Sequence, residues 1–253
     1  MENAEKIAKA MGSAPRCPLK LMDETDSTNL RLKEWVREGR IQAPYLLIAS
    51  SQTAGRGRLG RSFLSPPGTG LYMSVLLRPE SGWTPGQVTI LAAVSVCLAI
   101  EEMTGLQPKI KWVNDLFLRG KKICGILAEM AGDQVIVGVG LNLQTPPGGF
   151  PADLSIAGAL DCEIDRLTLA GKIAARLLEG AKHPGDPDIL SAYRQRMFLM
   201  GREIQYLENG TQKNARVTGV DEDGGLMIRD GDEDKILRTG EVTLGSYSFS
   251  DLE

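Results

Sequence analysis

The sequence predicts an α+β fold followed by a small β-barrel, and three observations carry that prediction. Strand-like and helix-like segments follow one another without βα regularity up to about residue 200, a run of short β segments fills residues 110–143, and short strands with Asp/Gly/Asn turns take over after Gly201. With 253 residues, 42% hydrophobic and 24% charged, the chain can bury a real core in one large domain, or in a medium domain plus a small one.

In chain order, residues 1–20 read as a polar N-terminal arm. DSTNLRLKEWVREG reads as a helix capped by Ser27 or Thr28 and ended by Gly39, with Leu30, Trp35 and Val36 on its apolar face. YLLIAS (45–50) and LYMSVLLR (71–78) read as strands. Thr84 and Pro85 take the N-cap and first helical positions of a long helix that runs to Gly105. IKWV, DLFL, ICGILAEM and QVIVGVGLNL then form a strand meander, and two helices follow at 167–178 and 188–197. EIQYL, ARVTGV, LMIR and KILR, punctuated by ENGT, DEDGG and DGDED, are the strands expected of the barrel. The boundaries are therefore 1–20, 21–199 and 200–253.

Composition excludes several kinds of chemistry. A net charge of −3 gives no general attraction to nucleic acid or an anionic membrane. The N-terminus lacks a signal peptide's apolar core, and Val88–Ile100 is shorter than a bilayer requires, so the expected location is cytoplasmic. Cys17, Cys97, Cys124 and Cys162 form no C-x-x-C pair and are expected reduced and mostly buried. The single histidine, His183, sits in the Pro/Gly-rich connector KHPGDPD, where an exposed loop position is expected; histidine triads and two-histidine metal sites are ruled out.

SQTAGRGRLGRSF, residues 51–63, spaces Gly55, Gly57 and Gly60 as G-x-G-x-x-G, with Arg56, Arg58 and Arg61 between and after them. A dinucleotide turn needs a preceding strand, a helix from the third glycine and an acidic residue roughly 20 positions on. YLLIAS and Glu80 meet the first and last conditions, but RSFLSPPGTG cannot begin a helix. No P-loop pattern occurs, and three charges without a basic stripe are a poor nucleic-acid surface. A solvated surface loop and an anion-gripping loop remain. Three guanidiniums beside three glycines repel one another and are costly to order when empty, which favours an anion as their partner and a loop that is mobile without it.

TDSTN (25–29), KWVND (111–115), KKICGILAE (121–129) and VGVGLNL (137–143), in this order around GRGRLGR, resemble the biotin protein ligases over about residues 21–250. The resemblance implies a mixed sheet with helices packed on one face, similar to class II aminoacyl-tRNA synthetases, and a C-terminal SH3-like barrel. It implies that ATP and biotin form biotinyl-5′-AMP, and that the biotinyl group passes to a lysine of a biotin carboxyl carrier domain, such as that of acetyl-CoA carboxylase. By resemblance, Ser27, Thr28, Asn29, Gln52, Gly55, Arg56, Gly57, Arg58, Lys122 and Gly125 surround biotin. Arg58, Arg61, Phe63, Lys111, Trp112, Asn114 and Asn142 meet ATP or the adenylate. Arg58, Lys122 and Asp115 are the catalytic candidates, Asp115 to orient the incoming lysine or touch Mg²⁺.

Ordinary structural roles remain open beside these: capping for Ser27 and Thr28, a turn for Asn114–Asp115 and Asn142, core packing for Trp112, a bulge for Gly125 and a hairpin-turn position for Lys122. Two positions depart from many relatives, Val113 where proline is common and Phe63 where tryptophan is common. With the first motif some twenty residues in, a ligase without a DNA-binding domain is expected; whether it forms a homodimer through a sheet edge stays open. The rivals are a lipoate protein ligase, which shares the acyl-adenylate logic, and a non-catalytic module that senses biotin or binds nucleic acid.

Overall fold

The segment GLYMSVLL is apolar on both faces apart from Ser74, and it becomes the strand around which two layers are built. A computed structural model describes residues 2–80 and 82–244. Its larger sheet contains β1 (Leu19–Thr25), β2 (Tyr45–Gln52), β3 (Gly70–Leu77), β4 (Lys109–Lys111), β5 (Asp115–Leu118), β6 (Lys121–Ala131) and β7 (Gln134–Asn142). Their order is β1-β2-β3-β7-β6-β5-β4; β1 and β2 are parallel and every other neighbour is antiparallel, so the sheet is mixed.

Alternation along β3 divides the core. Leu71, Met73, Val75 and Leu77 join the large apolar cluster, while Leu76 joins Leu32, Leu47 and Ile136 on the opposite face. The first face carries α3 (Pro85–Thr104) and α4 (Arg166–Gly180), with α5 (Pro187–Arg196) packed on α3. The second face carries α2 (Thr28–Arg37), the crossover between the parallel strands β1 and β2. The sheet is thus covered on both faces, which corrects the expectation of helices on one face only. A βαβ crossover must lie against its sheet, and Leu32 directs α2 to the side that the other helices leave open.

Capping explains where α3 begins. Thr84 Oγ1 accepts from Gln87 N and Gln87 Oε1 accepts from Thr84 N, a reciprocal pair with Pro85 just inside the helix, and Gly105 at φ 72° ends it. By length and composition α3 is the one described helix able to cross a membrane, contrary to the short-run expectation, and here most of its side chains are buried in the core. The arm expected at the N-terminus is instead a helix, α1 (Glu2–Met11). Ile7 and Met11, one turn apart, are its only buried side chains, and Gly171 of α4 admits its backbone: a Cβ there would stand 2.6 Å from the Ile7 carbonyl oxygen. His183 is exposed between α4 and α5, as expected. Of the cysteines, Cys97 and Cys124 are buried and Cys17 and Cys162 partly so. Burial pushes the Cys97 thiol up to about 12, out of the range of a reactive thiolate.

A second, antiparallel sheet follows, made of β8 (Glu203–Glu208), β9 (Thr211–Val220), β10 (Leu226–Asp230), β11 (Glu233–Leu237) and β12 (Val242–Leu244) in the order β11-β10-β9-β8-β12. The rest of the expected barrel, residues 245–253, lies outside the described residues. Ile204, Val217, Leu226 and Ile228 join the large core cluster, so the two sheets share one apolar interior. Polar contacts lock the seam. Trp112 Nε1 donates to the Gly224 carbonyl at 2.8 Å, and Arg194 Nε donates to the Val220 carbonyl at 3.0 Å. At Gly86, in the first turn of α3, a Cβ would stand 1.8 Å from the Asp223 carbonyl oxygen. Alanine normally favours a helix over glycine by about 1 kcal/mol, yet Gly86→Ala is expected to lower the melting temperature because the β9–β10 turn must move away. A melting temperature equal to or above wild type in a thermal scan contradicts this packing.

Candidate active site

The site begins where α2 begins. Ser27, extended at φ −155°, caps the helix with its hydroxyl on Leu30 N at 3.5 Å, and Thr28 is the first helical residue. Thr28 donates its backbone N–H to Gln52 Oε1 at 2.8 Å, and its hydroxyl lies 3.1 Å from the same oxygen. Gln52 Nε2 continues to Ser65 Oγ at 2.9 Å. On the other side Ser74 Oγ lies 2.7 Å from both Thr28 Oγ1 and Asn29 Oδ1. Asn29 Nδ2 donates to the Leu127 carbonyl at 3.1 Å and to Glu129 Oε2 at 3.0 Å. Ser27, Thr28 and Asn29 are all buried, so this chain forms a fixed polar wall.

The floor beside that wall is backbone. Gly125 of β6 pairs with Gly140 of β7, and Gly138 lies two residues before Gly140 on the same face. A Cβ at Gly138 would meet Asn29 Oδ1 at 2.3 Å; at Gly140 it would meet the Phe63 ring at 2.7 Å, and at Gly125 the same ring at 3.3 Å. The aromatic ring therefore rests on a patch of sheet that has no side chains.

Phe63 closes the glycine-arginine loop, which doubles back on itself. Phe63 N donates to the Gly55 carbonyl at 2.9 Å and Gly57 N to the Arg61 carbonyl at 2.7 Å. Gly60 takes φ 77°, and Leu59, a non-glycine residue, takes φ 55° at the exposed tip. No helix follows Gly60; the chain goes on to β3, as the proline-rich sequence requires. The arginines are less repelled than their density suggests, because each meets an acceptor in the protein. Arg56 Nη1 is 3.9 Å from Glu129 Oε1, Arg58 donates to Asn114 Oδ1 at 3.1 Å and to the Gly240 carbonyl at 3.4 Å, and Arg61 pairs with Glu241 at 2.5 Å. Carboxylates of the protein, Glu129 and Glu241, thus stand beside two of the arginines, and Arg58 has neutral acceptors.

Opposite the loop stand Lys111 at the end of β4, Asp115 at the start of β5 and Lys122 in β6. Lys122 Nζ is 2.8 Å from Asp115 Oδ1. Burial lowers the pKa of Lys111, with the nearby Lys122 and Arg61 acting in the same direction and Asp115 and Glu241 against it. An ammonium held at that desolvation cost gains most from an anionic ligand. Asn114 is fixed by two bonds to Ile126, donating through Nδ2 at 2.8 Å and accepting through its carbonyl at 3.0 Å, which leaves Oδ1 for Arg58. Trp112 borders the cleft, buried, with its indole N–H on Gly224.

One cleft thus brings together Ser27, Thr28, Asn29, Gln52, Arg56, Gly57, Arg58, Arg61, Phe63, Lys111, Trp112, Asn114, Asp115, Lys122 and Gly125. Gly55 and Asn142 are not on its wall. A Cβ at Gly55 would stand 2.4 Å from the Phe63 carbonyl oxygen, so this glycine backs the loop, and Asn142 Nδ2 ties the end of β7 to the Gly158 carbonyl at 2.8 Å. Residues unassigned from sequence also line it: Gly138 and Gly140, Met73, Leu127, Gly240 and Glu241 from the β11–β12 connection, and Val242 at the start of β12. The alternating glycines of VGVGLNL were the available signal for the floor. Nothing local marks Glu241, which reaches the loop only through the seam between the sheets. No group of three or more His, Cys, Asp or Glu residues able to hold a metal occurs among the described residues.

A polar wall, a glycine floor covered by the Asn29 amide and the Phe63 ring, and a lid of cations make a cleft whose chemistry suits an anionic, hydrogen-bonding ligand. The model of the biotin/lipoate A/B protein ligase family matches residues 21–142. The chain is 36% identical over 224 residues to the bifunctional ligase/repressor BirA of Bacillus subtilis, covering 79% of this chain and 66% of that one. It is 29% identical over 239 residues to the biotin–[acetyl-CoA-carboxylase] ligase of Mycobacterium tuberculosis, covering 88% of each. The solved biotin protein ligase of Aquifex aeolicus in complex with biotin and ATP superposes with a TM-score of 0.78 at 32% identity, covering 90% of this chain and 98% of that one. The chain belongs to the biotin protein ligase family. It spans 66% of the length of the Bacillus subtilis relative. The glycine floor gives a direct test: Gly138→Ala is expected to displace the Asn29 amide and destabilise the protein by about 1–3 kcal/mol in urea denaturation. A change under about 0.5 kcal/mol shows that the amide is not confined there.

Proposed function

We infer that this protein joins biotin to a lysine of a biotin carboxyl carrier domain, such as that of acetyl-CoA carboxylase, through biotinyl-5′-AMP. The observation that carries the reading is the convergence in one cleft of the Ser27–Asn29 polar wall and the cations Arg56, Arg58, Arg61, Lys111 and Lys122, over a glycine floor on which only the Asn29 amide and the Phe63 ring rest. In the first step the biotin carboxylate attacks the α-phosphate of ATP, the bond to the β-phosphate breaks, and pyrophosphate leaves. Both reactants are anionic, so the barrier falls when cations balance their charge and hold them in line. Lys122 and Arg58 are assigned to the reacting carboxylate and α-phosphate, with Arg61 and Lys111 on the nucleotide side. Ser27, Thr28, Asn29 and Gln52 are assigned to the ureido ring, whose donors and acceptors suit the polar wall. Phe63 and Trp112 border the space for the adenine.

In the second step the amine of the acceptor lysine attacks the acyl carbonyl, AMP leaves, and one proton is lost. Asp115 is assigned to orient that amine. One carboxylate suffices beside the phosphates of ATP to hold Mg²⁺, and Asp115, paired with Lys122, would be the protein's contact to it. Mg²⁺ is therefore taken to arrive bound to the phosphates of ATP, and no step is assigned to it. We read residues 21–199 as the catalytic unit, similar in layout to class II aminoacyl-tRNA synthetases, and the second sheet as the start of the family's SH3-like barrel. We place the protein in the cytoplasm. The edge strand β1 is the candidate for pairing two copies into a homodimer.

Incubation with ATP, Mg²⁺, biotin and a carrier domain is expected to add one biotinyl group to the carrier in intact-mass spectrometry. Pyrophosphate release that is indifferent to biotin, or equal use of lipoate, contradicts the assignment. Arg58→Ala is expected to speed escape of free biotinyl-AMP by about tenfold or more, the scale of one charge-assisted hydrogen bond. An unchanged escape rate removes Arg58 from adenylate retention.

A further inference from the structure

Glu129 closes the KKICGILAE segment, and the catalytic scheme above gives it no task. It stands on β6 opposite Ile136, its side chain 17% exposed, on the face that Leu32, Leu47 and Leu76 otherwise make apolar. A carboxylate is costly in such a place unless several donors converge on it. Two donors and one further cation do, from two separate elements. Asn29 Nδ2 of α2 donates to Oε2 at 3.0 Å, Lys33 Nζ of α2 lies 3.3 Å from Oε1, and Arg56 Nη1 of the glycine-arginine loop lies 3.9 Å from Oε1.

We propose that Glu129 is a positioning residue that fixes the Asn29 amide with one oxygen and tethers the glycine-arginine loop through Arg56 with the other. The amide of Asn29 can present either its oxygen or its NH₂ toward the sheet. Glu129 and the Leu127 carbonyl, both acceptors, require NH₂ on their side, and that turns Oδ1 toward Ser74. At the other oxygen, Lys33 and Arg56 share one negative charge. At 3.9 Å, beyond hydrogen-bonding distance, the charge holds Arg56 by electrostatics alone and leaves its geometry loose. The side chain of Arg56 is 47% exposed, so this tether is weak and reversible, as a loop that must admit and release ligands requires. Biotin selection and loop position are thereby coupled through one carboxylate.

The inference rests on the cleft being the biotin site only for its Asn29 half; the tether can be read without any ligand. Glu129→Gln keeps an acceptor for Asn29 and removes the charge, whereas Glu129→Ala removes both. Biotin affinity by calorimetry and amide hydrogen exchange across residues 55–63 are measured for both variants and the wild type, with melting temperatures alongside. Glu129→Ala is expected to weaken biotin binding about tenfold, the scale of a hydrogen bond to a charged group, and Glu129→Gln by less than about threefold. Both are expected to speed loop exchange by about twofold to fivefold, the scale of an exposed ion pair. Wild-type exchange in Glu129→Gln overturns the tether. Equal loss of biotin affinity in the two variants, tracking a common fall in melting temperature, overturns the orienting role. A wild-type protein that binds no biotin overturns the functional reading, and the exchange data still decide the tether.

Discussion

Two Cβ atoms that β7 lacks determine where everything else in the cleft can sit. At Gly138 the missing carbon is replaced by the amide of Asn29, and at Gly140 by the ring of Phe63. Neither substitution for a side chain is local: Asn29 comes from the helix that crosses between β1 and β2, and Phe63 from the loop between β2 and β3. A strand that is apolar on its other face through Val135, Val137, Val139 and Leu141 supports this floor from behind. The core and the cleft are therefore two faces of one strand, and the alternation of side chains along it separates them.

The loop above the floor is held by contacts of different strength. Arg61 and Glu241 are 66% and 46% exposed, so their pair contributes about 0–1 kcal/mol, and a phosphate can displace the carboxylate at little cost. Arg58 is held by a neutral amide and a backbone carbonyl, acceptors that a charged ligand oxygen outcompetes. Such partners keep three guanidiniums close together without committing them. Two of the three lead to residues 240 and 241, so the connection between β11 and β12 takes part in the geometry of the cleft through the loop.

Elements with local signals were legible in the sequence. Thr84, Pro85 and Gly105 marked α3 at both ends, Ser27 marked α2, and the proline-rich stretch after Gly60 excluded a dinucleotide turn. What depended on distant pairing was not legible. α1 offers only Ile7 and Met11 as apolar contacts, and its docking depends on a glycine in α4. The side of the sheet taken by α2 follows from a crossover that no short window reveals. Most residues singled out by motif resemblance share one cleft, whereas Asn142 holds a chain connection and Gly55 backs the loop. Glu241 and Gly138 act through partners far along the chain, and only the folded arrangement identifies them.

The central claim is that one cleft holds biotin and the nucleotide together and keeps their joined product. The most direct measurement is a single-turnover reaction of the protein with radiolabelled ATP and excess biotin, without carrier, followed by rapid gel filtration. About one biotinyl-AMP is expected to stay bound per protein chain and to be discharged as AMP when a carrier domain is added. Label that elutes wholly free of protein, or bound AMP formed without biotin, contradicts the claim.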